Sequence, residues 1–286
     1  MMKRFLIQLL NSIAINGYVQ GFLRSTIYKG DTKVVCVPGL NCYSCPGAVA
    51  SCPIGALQSV LGSRKFNFSF YILGFIMGFG ILFARLICGF LCPFGFLQDL
   101  LYKVKVKKIN VAEKIDKPLR YLKYVILLLF VIIFPLILTN KYGSAPPYFC
   151  QYICPVGTLQ GGIPLVIGNE FLRNMIGWLF SWKMFILLMV ILASTFIYRP
   201  FCKYLCPLGA IYALFNKVSF YRLKVNHDTC INCMRCETTC KMQVKVLQNP
   251  NHGECIRCGD CIKVCPVDAI EREKVFSKNV EEKSYM

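Results

Sequence analysis

Eighteen cysteines in 286 residues fall into two kinds of pattern, and their spacing decides what chemistry they can do. Near the C-terminus, Cys230-x2-Cys233-x2-Cys236-x3-Cys240 is followed by Cys255-x2-Cys258-x2-Cys261-x3-Cys265-Pro266. Three thiolates on a tight C-x2-C-x2-C turn, with a fourth from elsewhere, suit a cubane [4Fe–4S] cluster. Zinc sites rarely place three cysteines at successive x2 spacing, so zinc is the weaker alternative. Upstream, Cys-Pro-x-Gly recurs four times, as Cys52-Pro-Ile-Gly55, Cys92-Pro-Phe-Gly95, Cys154-Pro-Val-Gly157 and Cys206-Pro-Leu-Gly209. Three copies carry a second cysteine four positions earlier, Cys88, Cys150 and Cys202, whereas Ala48 holds that place in the first.

The elements that must position these thiols are mostly apolar. With 56% hydrophobic and 16% charged residues and a positive mean hydropathy, part of the chain belongs in lipid. Phe5 to Leu23, Phe68 to Ile87, Tyr124 to Leu138 and Met184 to Ile197 read as four spans, and residues 164–180 as a re-entrant or interfacial helix. No Ala-x-Ala-like site directly follows the first stretch, which argues against a cleaved signal peptide. Gly17-x3-Gly21 and Gly74-x3-Gly78 read as helix-packing faces. Proline and glycine after each cysteine are expected to stop the preceding helix and let the backbone turn toward a bound ion.

Charge separates the chain into two parts. Residues 223–286 hold ten basic and nine acidic residues out of 33 and 14, which leaves 23 and five in the apolar part. Those basic residues flank hydrophobic stretches instead of forming one face, which argues against nucleic acid and for loops on the cytoplasmic side of a membrane. The N-terminus, the 103–123 loop and the region after the last span are therefore placed inside, and 24–67 and 140–182 outside. The expected domains are a membrane domain, 1–222, a small cluster-binding domain, 223–275, and a charged tail, 276–286.

The membrane domain reads as two tandem repeats, about 5–104 and 121–218, each a span, an outer Cys-Pro-x-Gly segment, a span and an inner one. The fold class is thus mainly α: a polytopic bundle of about four transmembrane helices plus short re-entrant or half helices, with a C-terminal α+β domain. Such repeats pack about an axis along the membrane normal, with sites at their interface. At the inner face this brings together Cys88, Cys92, Cys202 and Cys206, enough for a third cubane. At the outer face Cys52, Cys150 and Cys154 lack a fourth partner. Cys45, the nearest in sequence, is the favoured substitute, with Cys36 and Cys42 as alternative ligands, a disulfide or a redox-active dithiol.

Residues 224–272 resemble a bacterial two-[4Fe–4S] ferredoxin, in which the fourth cysteine of each run serves the other cluster. The resemblance implies one cluster on Cys230, Cys233, Cys236 and Cys265 and another on Cys255, Cys258, Cys261 and Cys240. Lys241 departs from it, standing where proline usually follows the fourth cysteine. Over nearly its whole length the chain resembles the NapH/NosR-like membrane polyferredoxins, from which the Cys36-x5-Cys42-x2-Cys45-Pro-Gly insertion departs. The two histidines, His227 and His252, lie outside the membrane domain, so no bis-histidine haem is expected there. There is likewise no flavinylation sequence and no NAD-binding glycine motif.

The family resemblance implies electron transfer across the membrane from a cytoplasmic low-potential donor, such as a ferredoxin or flavodoxin, to an extracytoplasmic acceptor, for which a flavoprotein is one class. The alternatives are a quinol dehydrogenase subunit, with quinone as partner, and a redox sensor or thiol-transfer protein using the outer cysteines.

Overall fold

Each of the four Cys-Pro steps begins a helix. The cysteine is the N-cap and the proline the first helical residue, where its fixed φ is suited and its missing N–H costs nothing. The helices Pro53–Leu61, Pro93–Leu101 and Pro207–Phe215 each have nine residues, about 14 Å. The fourth, Pro155–Gly157, continues through a π-helical turn, Thr158–Gly162, into Ile163–Gly168. All four therefore turn their N-termini, the positive end of the helix dipole, toward the cysteines. Helices Leu86–Phe90 and Tyr148–Tyr152 and the turn Phe201–Leu205 end just before a Cys-Pro step, as expected, and the proline also starts the next helix.

The computed structural model describes residues 2–63, 69–138 and 144–274. The expected tail, 276–286, and Phe68 at the start of the second expected span lie outside them. The protein is mostly helical. Among the described residues, two helices are long and apolar enough to cross a membrane, Glu113–Ile137 and Trp178–Phe196. The first expected span breaks into Met2–Ile15 and Val19–Arg24, separated at Gly17 and Tyr18. The second is helical over Phe70–Leu82, about 20 Å, and again from Leu86 in the short helix Leu86–Phe90. A Cβ on Gly74 or Gly78 would meet nothing within 4 Å, so this pair is not a packing face within the chain. By contrast, a Cβ on Gly21 would lie 2.1 Å from the Pro46 carbonyl oxygen, a close approach that only glycine permits.

The C-terminal module is a two-stranded antiparallel sheet, Tyr221–Val225 on Ile270–Lys274, with Leu223 opposite Arg272, and two short helices, Arg235–Thr238 and Asp260–Val264. It shares a hydrophobic core with the apolar helices through Met242, Val244 and Ile256. A Cβ on Gly89 would lie 2.6 Å from the Ile256 carbonyl oxygen, so this contact is backbone against backbone.

Buried polar groups hold the module in place. Glu254, 3% exposed, is ion-paired to both Arg85 and Lys123, each fully buried. Burial alone would raise its carboxyl, but the charges of Arg85 and Lys123 hold it down, at about 2. Arg85 Nη1 also donates to the Gly253 carbonyl at 2.8 Å. Arg257 donates to the carbonyls of Phe83 and Asn216 and to Ser219, and Asn216 to the carbonyls of His252 and Cys255. His252 accepts from the Glu254 N–H at 3.1 Å, and burial pushes its imidazole below the ordinary value.

Candidate functional site

The C-terminal cysteine runs are shaped by left-handed backbone at matching places. Asn232 and Met234 in the first run correspond to Arg257 and Gly259 in the second, and Gln243 to Asp268, each three residues beyond a fourth cysteine. Mixing left- and right-handed residues turns successive N–H groups to one side, a geometry that cradles negative charge. The Val244 N–H points at Cys240 Sγ, 3.4 Å, and the Ala269 N–H at Cys265 Sγ, 3.3 Å. Two cavities result. One is lined by Cys230, Cys233, Cys236 and Cys265 together with Ile231 and Leu247. The other is lined by Cys240, Cys255, Cys258 and Cys261, with Tyr198 and Lys241 at its wall. Four thiols around an apolar space of this kind suit an iron–sulfur cubane. Lys241, in the unusual place after the fourth cysteine, lies over the Tyr198 ring, 5.6 Å from its centroid.

In the apolar domain Cys88, Cys92, Cys202 and Cys206 are all buried and lie within electrostatic reach of one another. Cys92 and Cys206 accept from the N–H groups of Gly95 and Gly209 at 3.4 and 3.3 Å, so each thiol caps the helix that it begins. The glycine three residues after each of these cysteines is tightly surrounded. A Cβ on Gly95 would lie 3.0 Å from the Cys88 carbonyl oxygen and 3.1 Å from Arg199 Nη1, and one on Gly209 3.1 Å from the Cys202 carbonyl oxygen and 3.3 Å from Arg85 Nη2.

The two arginines cross between the copies. Arg85 Nη2 donates to the Cys202 carbonyl at 2.8 Å, and Arg199 Nη1 to the Cys88 carbonyl. Arg199 is itself held by Asp99 through Nε and Nη2, at 2.7 and 2.6 Å, and Arg4 from the first helix joins the same carboxylate. Gln8 and Asn11 of that helix take the Gly89 and Leu91 carbonyls. Gln98 completes this shell, its Nε2 3.1 Å from Cys202 Sγ and its Oε1 accepting from the Phe201 N–H.

A second set gathers on the far side. Cys52 and Cys154 begin their helices, and Cys150 accepts from Gln58 Nε2 at 3.4 Å while Gln58 Oε1 takes the Phe149 N–H at 2.9 Å. Sequence proximity favours Cys45 as the fourth member, with Cys36 and Cys42 as alternatives, and the three thiols lie in different surroundings. Cys42 lies within electrostatic reach of Cys52, Cys150 and Cys154, whereas the Cys45 thiol points to Asn16 Oδ1, 3.6 Å away. Cys36 is buried in the core, its N–H on the Tyr71 hydroxyl. None of the eighteen cysteines is joined in a disulfide. Lys183, five residues into the helix Trp178–Phe196, donates to the Cys150 carbonyl at 3.1 Å.

The two sets do not occupy opposite ends of the bundle but adjoin across a thin wall. Tyr212, fully buried, stands where the other copies have Gln58, Gln98 and Gln160. Its hydroxyl donates to the Pro38 carbonyl at 3.0 Å, and its ring lies within electrostatic reach of Cys88, Cys92 and Cys206 on one side and Cys52 on the other. The loop that it holds continues past Gly39, where a Cβ would lie 3.0 Å from Cys92 Cα. The Leu40 amide then faces Cys92 and the Asn41 amide faces Cys52. Among the described residues no three Cys, His, Asp or Glu side chains converge closely enough to hold a single metal ion. Thiols around a cubane stand wider apart, because each binds a different iron.

Sequence reasoning missed the paired arginines, although a signal existed: Arg85 and Arg199 each stand three residues before the first cysteine of an inner motif. It also missed Glu254, which no motif marks.

Comparison with known proteins is consistent with this chemistry. A family described as "4Fe-4S binding domain" matches residues 68–111, 123–169 and 176–226, and a second family of the same description matches 250–271. Uncharacterized protein MJ0750 of Methanocaldococcus jannaschii is 35% identical over 69% of this chain and 76% of its own length. The putative electron transport protein YccM of Escherichia coli is 28% identical over 58% and 44%, respectively. The ferredoxin-type protein NapH of Haemophilus influenzae is 30% identical over 61% and 53%. No solved structure matches the chain.

Proposed function

Since the chain belongs to the NapH/NosR-like membrane polyferredoxins, a family of ferredoxin-type electron transport proteins, we propose that it conducts electrons across the cytoplasmic membrane through four [4Fe–4S] clusters. In this reading the cytoplasmic module, 223–275, receives them from a ferredoxin-like donor. Two repeats, about 5–104 and 121–218, form a membrane domain of about four spans that carries them to an extracytoplasmic acceptor. One observation carries the proposal: the four cysteine sets lie in series. The cavity of Cys230, Cys233, Cys236 and Cys265 comes first. That of Cys240, Cys255, Cys258 and Cys261 follows, against the apolar domain at Tyr198 and Ile256. Cys88, Cys92, Cys202 and Cys206 come next, and the set beyond Tyr212 is last.

A cubane held by four thiolates takes up and releases one electron with little change of shape. The chain supplies the rest. Four helix N-termini and the amides of Gly95, Gly209, Val244 and Ala269 face the thiolates and favour their negative charge. Arg85 and Arg199 fix the turns between cysteines and add positive charge that Glu254 and Asp99 balance. The apolar core excludes water. Because tunnelling falls steeply with distance, one jump across ~30 Å of hydrocarbon is too slow, and sites adjoining within the bundle divide it into short steps.

Anaerobically purified protein is expected to hold about sixteen iron atoms, four for each four-thiolate site. In sealed vesicles, reduced ferredoxin on the side of the C-terminal module should reduce an entrapped, membrane-impermeant acceptor without added quinone. A rate that depends wholly on quinol would reject the proposal in favour of a quinol dehydrogenase. Tyr212→Leu should keep the wild-type iron content yet slow transfer between the two membrane sites, measured by rapid freeze-quench after a reductant pulse. Tyr212→Phe, which retains the ring, should be slowed less.

A further inference from the structure

We propose that Cys42 is the fourth ligand of the distal membrane site, which thus consists of Cys42, Cys52, Cys150 and Cys154. The inference rests on the electron-transfer reading above and assigns a ligand that lies outside every segment matched by the family comparison.

The argument compares the two halves of the site. In the half where the cysteine motif is complete, Cys150 sits over the glycine of the opposing copy: a Cβ on Gly55 would lie 3.8 Å from Cys150 Sγ. In the other half the opposing glycine is Gly157, and a Cβ there would lie 3.7 Å from Cys42 Sγ. Cys42 therefore fills, over Gly157, the place that Cys150 fills over Gly55.

The supporting glutamines agree. Gln58, six residues after Cys52, accepts from the Phe149 N–H, next to Cys150. Gln160, six residues after Cys154, accepts from the N–H of Cys42 itself, also at 2.9 Å. Each glutamine thus grips the strand of chain that delivers the first thiol to the opposite half.

Ala48, the counterpart of Cys150 in the sequence repeat, does not approach this place. Its N–H closes a turn onto the Cys45 carbonyl, and the neighbouring Gly47 packs on Phe22 and on the Asn16 carbonyl. The inserted loop swings residues 45–48 toward the first helical segment and brings Cys42 inward. Lys183, whose Nζ would lie 3.7 Å from the same Cβ on Gly157, supplies a cation beside the thiolates of Cys42 and Cys150.

Iron content tests the assignment on the full chain, purified without oxygen. Cys42→Ser should lose about a quarter of the iron, falling from about sixteen to about twelve atoms, and Cys45→Ser should lose none. The electron paramagnetic resonance signals of the two C-terminal clusters, undiminished in Cys42→Ser, would report that the chain has folded. Iron lost from Cys45→Ser but not from Cys42→Ser, or from neither, would overturn the assignment while leaving the electron-transfer reading intact. About eight irons in the wild-type chain would instead remove both membrane sites, and the assignment with them.

Discussion

Replacing Glu254 with alanine is expected to loosen the C-terminal module from the apolar domain without emptying any cysteine site. The carboxylate is the only anion paired with Arg85 and Lys123 among the described residues, and all three groups are buried. Removing one partner from such a pair costs about 3–5 kcal/mol, because the charge left behind is buried and uncompensated. Here two cations are stranded. Hydrogen exchange over 240–256 should accelerate, and electron transfer from the module into Cys88, Cys92, Cys202 and Cys206 should fall steeply while iron content holds. Glu254→Gln should be intermediate, since its amide oxygen still accepts a hydrogen bond but carries no charge. Exchange and transfer both unchanged in the alanine variant would mean that Arg257, Asn216 and the Gly89 contact hold the module unaided.

The second large effect is expected at Arg199. Its guanidinium is fully buried, spans the Cys88 carbonyl and both oxygens of Asp99, and lies 3.1 Å from the Cβ position of Gly95. A forked, planar donor does this; an ammonium cannot reach both partners, so Arg199→Lys should not rescue. Arg199→Leu leaves Asp99 with Arg4 as its remaining ion-pair partner and the buried Cys88 carbonyl without its donor, which is destabilising. Where the site survives, losing a positive charge beside it should make the cluster harder to reduce, read as a more negative midpoint in a redox titration. The equivalent change at Arg85, which is balanced by Glu254 as Arg199 is by Asp99, should shift the midpoint in the same direction. A shift to more positive potential at either position would show that these guanidinium charges do not set the local field.

Cysteine identity and spacing carried most of the chemistry, because a tight C-x2-C-x2-C turn has few physical uses and the four Cys-Pro-x-Gly copies fixed how many sites to expect. The helical, membrane-embedded character followed from composition in the same way. What spacing could not carry was the path of irregular chain. Cys45 is nearer than Cys42 to Cys52 in sequence, yet the turn closed by the Ala48 N–H on the Cys45 carbonyl sends its thiol toward Asn16. Nor does hydropathy report where an apolar stretch stops being helical: Phe70–Leu82 ends six residues short of Cys88, and the chain then turns through Ala84 in the left-handed region. Read as an isolated stop signal, Cys-Pro hid its role as N-cap and first helical residue. Cys-Pro-x-Gly does not mark Tyr212, because the exception at the sixth position after the cysteine lies beyond that motif.

The grip of Arg85 and Lys123 on Glu254, with Arg257 and Asn216 beside it, has a kinetic consequence. Many redox proteins ferry electrons on a tethered head that must diffuse between its partners, and their turnover falls as the medium thickens. Here the module is fixed to the apolar domain by buried ion pairs and hydrogen bonds. Passage from the module into the bundle should be indifferent to added glycerol or sucrose, and any dependence on viscosity should arise only from encounters with donors and acceptors outside the chain.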